Sequence, residues 1–568
     1  MLDLRIDNAR IVDVYRHRVF TGWVGIQAGR FRYVEPAGDG PSVAAREERD
    51  ADGAYLIPGL IDAHMHIESS LVTPRRFAEA ALPFGTTTVL ADPHEVANVA
   101  GAEGVRWMIA ASQGLALRIL HAIPSCVPAT DATIEWTNQV FDAAVIAELA
   151  EQPGVIALGE VMDYRSVADG SGRLPAMVAT ARARGLRLEG HIPTLAGSEL
   201  SDYLYHGITS DHTLTTPQKL NEQIGKGVHV MLQYKSLEPE TIDAVNALAE
   251  RSRVILVTDD VEPSLLTRGH LSTILDRAVD AGLDPLEAIA SATVRPATYL
   301  GLHHAGGIAP GNDADFLLAG ALPSGEAQPF CPAEVFVAGR SVARDGHYTG
   351  PTAPPLPAPP AFPAVPDAWQ REHFLFGTRS GHHTARCVTL AGDRTSLTHL
   401  TEVPVTIDAG RALLQPGDAL NLVSVTARDR SAHSLAVARN LGLERGAFAS
   451  CFAHDSHNVL VVGHDPDQML AAARALQRQQ GGVVLIQDDN SIVAVPLPVV
   501  SLLSDQAVPH VADQLAQLES ALRACGMTHR RPFLILSLLS LTVSPYAKFS
   551  DKGVVDTEAR KVLAPLVE

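Results

Sequence analysis

The sequence predicts an α/β protein: a (β/α)8 TIM-like barrel with a composite β-sandwich domain and an additional C-terminal α+β domain. Three observations predict it. Eight short apolar runs alternate with helical stretches between residues 56 and 302. Polar residues able to do chemistry follow those runs, where such barrels place their active sites. Segments of alternating apolar and polar residues flank the region on both sides, as strands of a half-buried sheet do.

Residues 1–55 hold the first flanking strands, for example Leu2, Leu4, Ile6 and then Ile11-Val12-Asp13-Val14. The eight runs follow at 55–60, 86–91, 117–123, 155–158, 186–189, 208–210, 228–232 and 254–257. The barrel is assigned to 56–302, close to the roughly 250 residues typical of the fold. Residues 303–350 return to short strands and turns. In 351–366 eight of sixteen residues are proline, which reads as a stiff linker. Residues 367–568 form the last unit, with strand-like runs at 421–425, 459–462 and 483–486 and a helical stretch at 467–479.

Composition excludes several classes. Lys and Arg total 45 against 64 Asp and Glu, a formal net charge of −19. Nucleic acid and anionic membranes both want a basic footprint, so neither is expected as a partner. No apolar stretch is long enough to span a bilayer. The five cysteines form no CxxC motif, which fits reduced thiols and a cytoplasmic setting. A chain of this size is expected to form a homo-oligomer.

The 23 histidines ask for an explanation. The first run ends Asp62-Ala63-His64-Met65-His66, and in a strand residues two apart share a face. Later runs end in Asp92-Pro93-His94-Glu95, Glu160, Glu189-Gly190-His191, Ser210-Asp211-His212 and Thr258-Asp259-Asp260. Burying so many charges at strand ends is costly unless they are paired or bind metal. The set lacks cysteine and suits Zn2+, Mn2+ or Fe2+ without choosing among them. Four His and two carboxylates exceed the usual three protein ligands of a mononuclear catalytic zinc, so two metals are expected, with Glu160 as bridge. A metal-activated hydroxide would be the nucleophile, and Asp259 would be ligand and proton shuttle.

The motif order resembles the amidohydrolase superfamily, and within it the bacterial adenine deaminase family. The resemblance rests on 58–70, 85–99 (GTTTVLADPHEVANV), 123–130 (IPSCVPAT), 158–162, 190–193, 210–212, 258–260 and 306–315 (GGIAPGNDAD). It continues through 453–458 (AHDSHN), 495–498 and 532–556, so it covers nearly the whole chain. It implies hydrolysis of adenine to hypoxanthine and ammonia, a step of purine metabolism and salvage, on two divalent ions, Mn2+ or Fe2+ before Zn2+. His64, His66, Glu160, His191, His212 and Asp259 would be the ligands, with Glu160 and Asp259 catalytic. Asp92, His94 and Glu95 would face the site, and Asp260 would orient its loop. The resemblance also implies that residues 1–55 and 303–350 form one composite β-sandwich domain beside the barrel. His454, Asp455, Ser456 and His457 would either reach the substrate or an additional metal at the barrel mouth, or pin the C-terminal domain. His270 is a weaker candidate neighbour.

Three positions depart from the family pattern. Thr213 stands where the family has Glu, Gln233-Tyr234-Lys235-Ser236 replaces Arg-Glu-Gly-Ser, and Arg428-Asp429-Arg430 replaces an Arg-His pair. A changed pocket could redirect the enzyme to another aminopurine, a cyclic amide or an N-acyl substrate through the same hydroxide. The acidic balance fits a free base better than a nucleotide, since a neutral purine needs no steering field.

Overall fold

The computed structural model describes residues 1–392, 395–414 and 419–567. All eight apolar runs become strands, in two parallel sheets. β1 (Leu60–His66), β2 (Thr86–Ala91), β3 (Arg118–Ile123), β4 (Val155–Val161) and β5 (Arg187–Gly190) form one, in the order β5-β4-β3-β2-β1. Asp259–Asp260 extends this sheet beyond β1, pairing Asp259 with Met65 and Asp260 with His66. β6 (Ser210–Asp211), β7 (His229–Leu232) and β8 (Val254–Leu256) form the other. The sheets meet where the Gly190 N–H donates to Ser210 Oγ at 3.1 Å and the Thr209 N–H to the Leu188 carbonyl at 3.4 Å.

The first run divides in two. Tyr55–Pro58 pairs antiparallel with Phe316–Ala319 and belongs to the flanking sheet; β1 begins only at Leu60. Gly59 makes the break possible, because a Cβ there would run into the Thr87 side chain. Two other strands reach further than their apolar runs, so that His64 and His66 lie within β1 and Glu160 within β4. Apolar length undercounts strands that end in functional polar residues.

Strand alternation sorts the side chains. Ile61, Ala63, Leu90, Ala122, Ala157, Met231, Ile255 and Val257 pack together inside the curve, where Tyr299 joins them from the helix Val294–Leu300. Outside, helices cover the strands, several capped by Asp: the Asp142 side chain accepts from the Ala144 and Val145 N–H groups, and Asp284 from those of Leu286 and Glu287.

Residues 2–58 and 316–348 share one nine-stranded sheet, in which Phe316 stacks on Phe336 with ring centroids 4.4 Å apart. The proline-rich 351–366 holds neither helix nor strand. It runs as a strap past the helix His94–Ser112, where Trp107 Nε1 donates to the Pro357 carbonyl at 3.1 Å. Residues 381–567 contain a ten-stranded, largely antiparallel sheet centred on Leu420–Thr426, with the helix Pro466–Arg478 packed against it. Thr73 donates to Asp505 at 2.7 Å and the Trp136 N–H to Asp551 at 2.9 Å, tying this region to the strand ends of the parallel sheets. Among the described residues no helix is long and apolar enough to cross a membrane.

Candidate metal centre

The structure brings all six expected ligands to one point. His64 and His66 project from the same face of β1 with ring centroids 5.0 Å apart. Glu160 lies at the centre. Its Oε2 is 2.6 Å from His191 Nδ1 and 3.1 Å from His212 Nε2, and its Oε1 is 3.3 Å from His66 Nε2. Asp259 Oδ1 is 3.4 Å from His66 Nε2 and 3.8 Å from His64 Nε2, and the His64 ring stacks on that of His212 at 3.8 Å. Asp259 holds a left-handed backbone, φ 61°, which costs a non-glycine residue about 1–2 kcal/mol and is typical of functional sites.

These residues fit divalent ions. Three trios converge to metal-binding spacing: His64, His212 and Asp259; His64, His66 and Glu160; and Glu160, His191 and His212. Glu160, His64 and His212 each belong to two of them, so the trios form one continuous cluster. His66 Nδ1 lies 3.0 Å from the Asp92 carbonyl, so it donates there and leaves Nε2 as the free nitrogen facing the carboxylates. His64 Nε2 is buried with no hydrogen-bond partner. Burial works against the charged form of Glu160, yet His212, His191 and His66 outweigh it and hold the carboxyl well below its ordinary range. Burial likewise opposes charge on Asp259, and His66, His212 and Lys235 overcome it. The site is thus built to keep carboxylates ionised in a dry setting.

The residues after β2 divide their work. Asp92 braces the centre: its carbonyl receives His66 and its Oδ2 accepts the Glu160 N–H at 3.1 Å. His94 turns toward the ligands, with Nδ1 3.7 Å from Glu160 Oε1 and Nε2 3.8 Å from Asp455 Oδ1. Glu95 faces the C-terminal sheet, where His454 Nδ1 stands 3.0 Å from its Oε1. Burial opposes the charge on Glu95, but His454 and His457 prevail and hold it at about 2.

Glu95, His454 and His457 also converge to metal-binding spacing. His457 Nδ1, however, accepts the Ala453 N–H at 3.2 Å, so the proton of the neutral ring sits on Nε2. Nε2 itself is buried without a hydrogen-bond partner. Ser456 is buried beside them. The cluster occupies the seam between the parallel sheets and the C-terminal sheet, and Arg428 braces it by donating from Nε to the His457 carbonyl at 2.7 Å.

Several supports carry no strong sequence signal. Glu189, inside β5, lies 3.4 Å from His64 Nδ1 and accepts a hydrogen bond from the Tyr299 hydroxyl. Gln233 Nε2 donates to Asp259 Oδ2 and to the His212 carbonyl, at 2.7 and 2.8 Å. Asp62 accepts the Thr258 hydroxyl at 2.6 Å and thereby anchors the residue before Asp259. His270 is buried beneath, bonded to Thr86 at 2.9 Å, outside the ligand set. Asp260 accepts from Ser69 at 2.5 Å and also comes to metal-binding spacing with His66 and Asp259. Thr213 turns to the buried Asp211, at 2.9 Å, and Arg430 is exposed and pairs with Asp367, at 2.7 Å.

Comparison with known proteins agrees with this geometry. Residues 55–342 match the amidohydrolase family and residues 395–561 the adenine deaminase C-terminal domain. An adenine deaminase of Nitratidesulfovibrio vulgaris is 37% identical over 98% of this chain and 95% of its own. One from Desulfatibacillum aliphaticivorans is 34% identical over 98% and 95%, and one from Methanothermobacter thermautotrophicus 34% identical over 97% and 98%. The chain therefore belongs to the adenine deaminase family of the amidohydrolases.

Proposed function

We propose that this enzyme hydrolyses adenine to hypoxanthine and ammonia on two divalent ions, Mn2+ or Fe2+ before Zn2+, held by His64, His66, Glu160, His191, His212 and Asp259. The observation that carries the reading is the convergence of four histidines and two carboxylates around Glu160, whose two oxygens lie within 3.3 Å of His66, His191 and His212, in a chain that aligns over 98% of its length with an adenine deaminase. When bound, the ions supply an acidified water and a positive field at the reacting carbon.

The protein's own groups do the rest. Asp259 accepts a proton from the attacking water and delivers it to the departing amine, so that adenine and water become hypoxanthine and ammonia. Gln233 keeps Oδ2 of that carboxylate occupied and leaves Oδ1 turned toward the histidines. His94 Nδ1 and Asp455 Oδ2 are buried without hydrogen-bond partners and serve as the donor and acceptor for the purine edge. Glu95, His454, Ser456 and His457 hold Asp455 in place and close the site against water.

The same reading assigns residues 56–302 to a full (β/α)8 barrel, 1–55 with 303–350 to a composite β domain, 351–366 to a linker and 367–568 to a C-terminal α+β domain that finishes the site. Five free cysteines, four of them buried, favour a reducing cytoplasm. The test is turnover by Mn2+-loaded protein of adenine against other aminopurines, cyclic amides and N-acyl substrates.

A further inference from the structure

Among the six ligands, exposure is uneven. The side chains of His64, His66, Glu160 and His212 are at most 4% exposed and Asp259 12%, whereas His191 is 24% exposed. The centre therefore opens beside His191. A cavity of about 260 Å³ lies on that flank. Met162, two residues past Glu160, and Pro193 and Thr194, just past His191, line it on one side. Val543, Thr557 and Arg560 of the C-terminal region line the other.

We propose that this cavity is the entrance through which substrate reaches the metal centre, and that it is cut to a free heterocyclic base. The proposal rests on the deaminase reading for the identity of the base. Part of its wall is apolar: Ile134, Met162, Val543 and Val555 line it, with Met162 backed by Cys126 and Ala129, a surface suited to the face of a planar ring. Its rim is polar and tied by contacts both across the two regions and within the parallel-sheet region. Arg560 pairs with Asp163 and donates to Ser166 Oγ at 3.0 Å, and Tyr164 and Thr194 share a hydrogen bond of 2.8 Å. Size and charge set the ligand class. Pockets for drug-sized ligands run from roughly 300 to 1,000 Å³, so this one suits a base better than a base with its sugar. Two arginines line it: Arg560 is paired with Asp163, and Arg165 lies over the Tyr164 ring, 5.9 Å from its centroid; Asp163 and Glu558 in the same lining offset their charge, which disfavours a phosphate.

The experiment fills the cavity from either side with Thr194→Trp and Thr557→Trp, using Mn2+-loaded, full-length protein. Two rates are read: kcat/KM for adenine, and removal of Mn2+ by dipicolinate, a planar chelator of about the size of a base. An entrance predicts that both rates fall by about tenfold or more in both variants, at wild-type Mn2+ content, while Thr194→Ser stays near wild type. Unchanged rates in both fully loaded variants overturn it. If the wild type leaves adenine untouched, the deaminase reading fails by itself, and dipicolinate stripping still decides whether this is the entrance.

Discussion

Glu189 Oε2 stands 3.4 Å from His64 Nδ1, while Oε1 of the same carboxylate accepts the Tyr299 hydroxyl. Both groups are buried, which sets a carboxylate beside Nδ1 of His64 while Nε2 faces Asp259. Partners of this kind typically contribute 10–100-fold to metal affinity. Glu189→Gln should weaken Mn2+ binding by about that factor, and Tyr299→Phe by less; competition titration against a chelator measures both.

Asp259 and Gln233 form a second pair whose parts should separate. Asp259→Asn keeps the shape and loses the base, so kcat should fall by about 10²–10⁴ with much of the metal retained. Gln233→Leu leaves the carboxylate chemically intact but unanchored, and a loss in kcat of about tenfold is expected from misorientation alone. Steady-state kinetics with metal analysis on the same preparations check both. A near-wild-type rate for Asp259→Asn would remove it from the proton-transfer role.

Gly190 has no room for a side chain. A Cβ would lie far inside van der Waals contact of the Ser210 carbonyl; His191 follows Gly190 directly and His212 stands two residues past Ser210. Gly190→Ala should cost about 1–3 kcal/mol through the displaced strands and weaken metal binding at the same time. Thermal unfolding with and without Mn2+ reports both, and a variant that unfolds like wild type would show that the strands yield freely.

Glu135 supplies a pH test remote from the metal ligands. Its Oε1 accepts from Thr130 and Thr542, at 2.6 and 2.7 Å, and burial raises its carboxyl to about 7 from 4.5. The folded protein binds this proton more tightly than the unfolded chain, so stability falls as pH rises from about 4.5 to about 7, each unit of separation being worth about 1.4 kcal/mol. Glu135→Gln should shrink the difference in Tm between pH 5 and pH 8, chiefly by removing the loss at pH 8. An unchanged difference would mean that the carboxyl finds water or a cation in the folded state.

The convergence of the six proposed ligands was legible because each follows an apolar run, and strand periodicity alone puts His64 and His66 on one face. The division of labour at Asp92-Pro93-His94-Glu95 was not, since three adjacent polar residues point to three different places: the Glu160 backbone, the ligand cluster and the C-terminal sheet. Glu189 read as the polar end of a strand, and only the approach of Tyr299, 110 residues away, gives it a partner. The departures Thr213 and Arg430 looked like pocket changes and turn out to serve Asp211 and Asp367, because side-chain direction at a loop does not follow from spacing. Gln233 was flagged for what it replaces; its hold on Asp259 required the fold.

The most direct measurement is ammonia release from adenine by Mn2+-loaded wild-type protein, with hypoxanthine quantified in the same reaction. The account predicts equal amounts of both products, formed at a rate that rises with bound Mn2+ up to two ions per chain. Full loading without turnover of adenine, alongside turnover of a cyclic amide or an N-acyl substrate, would contradict it.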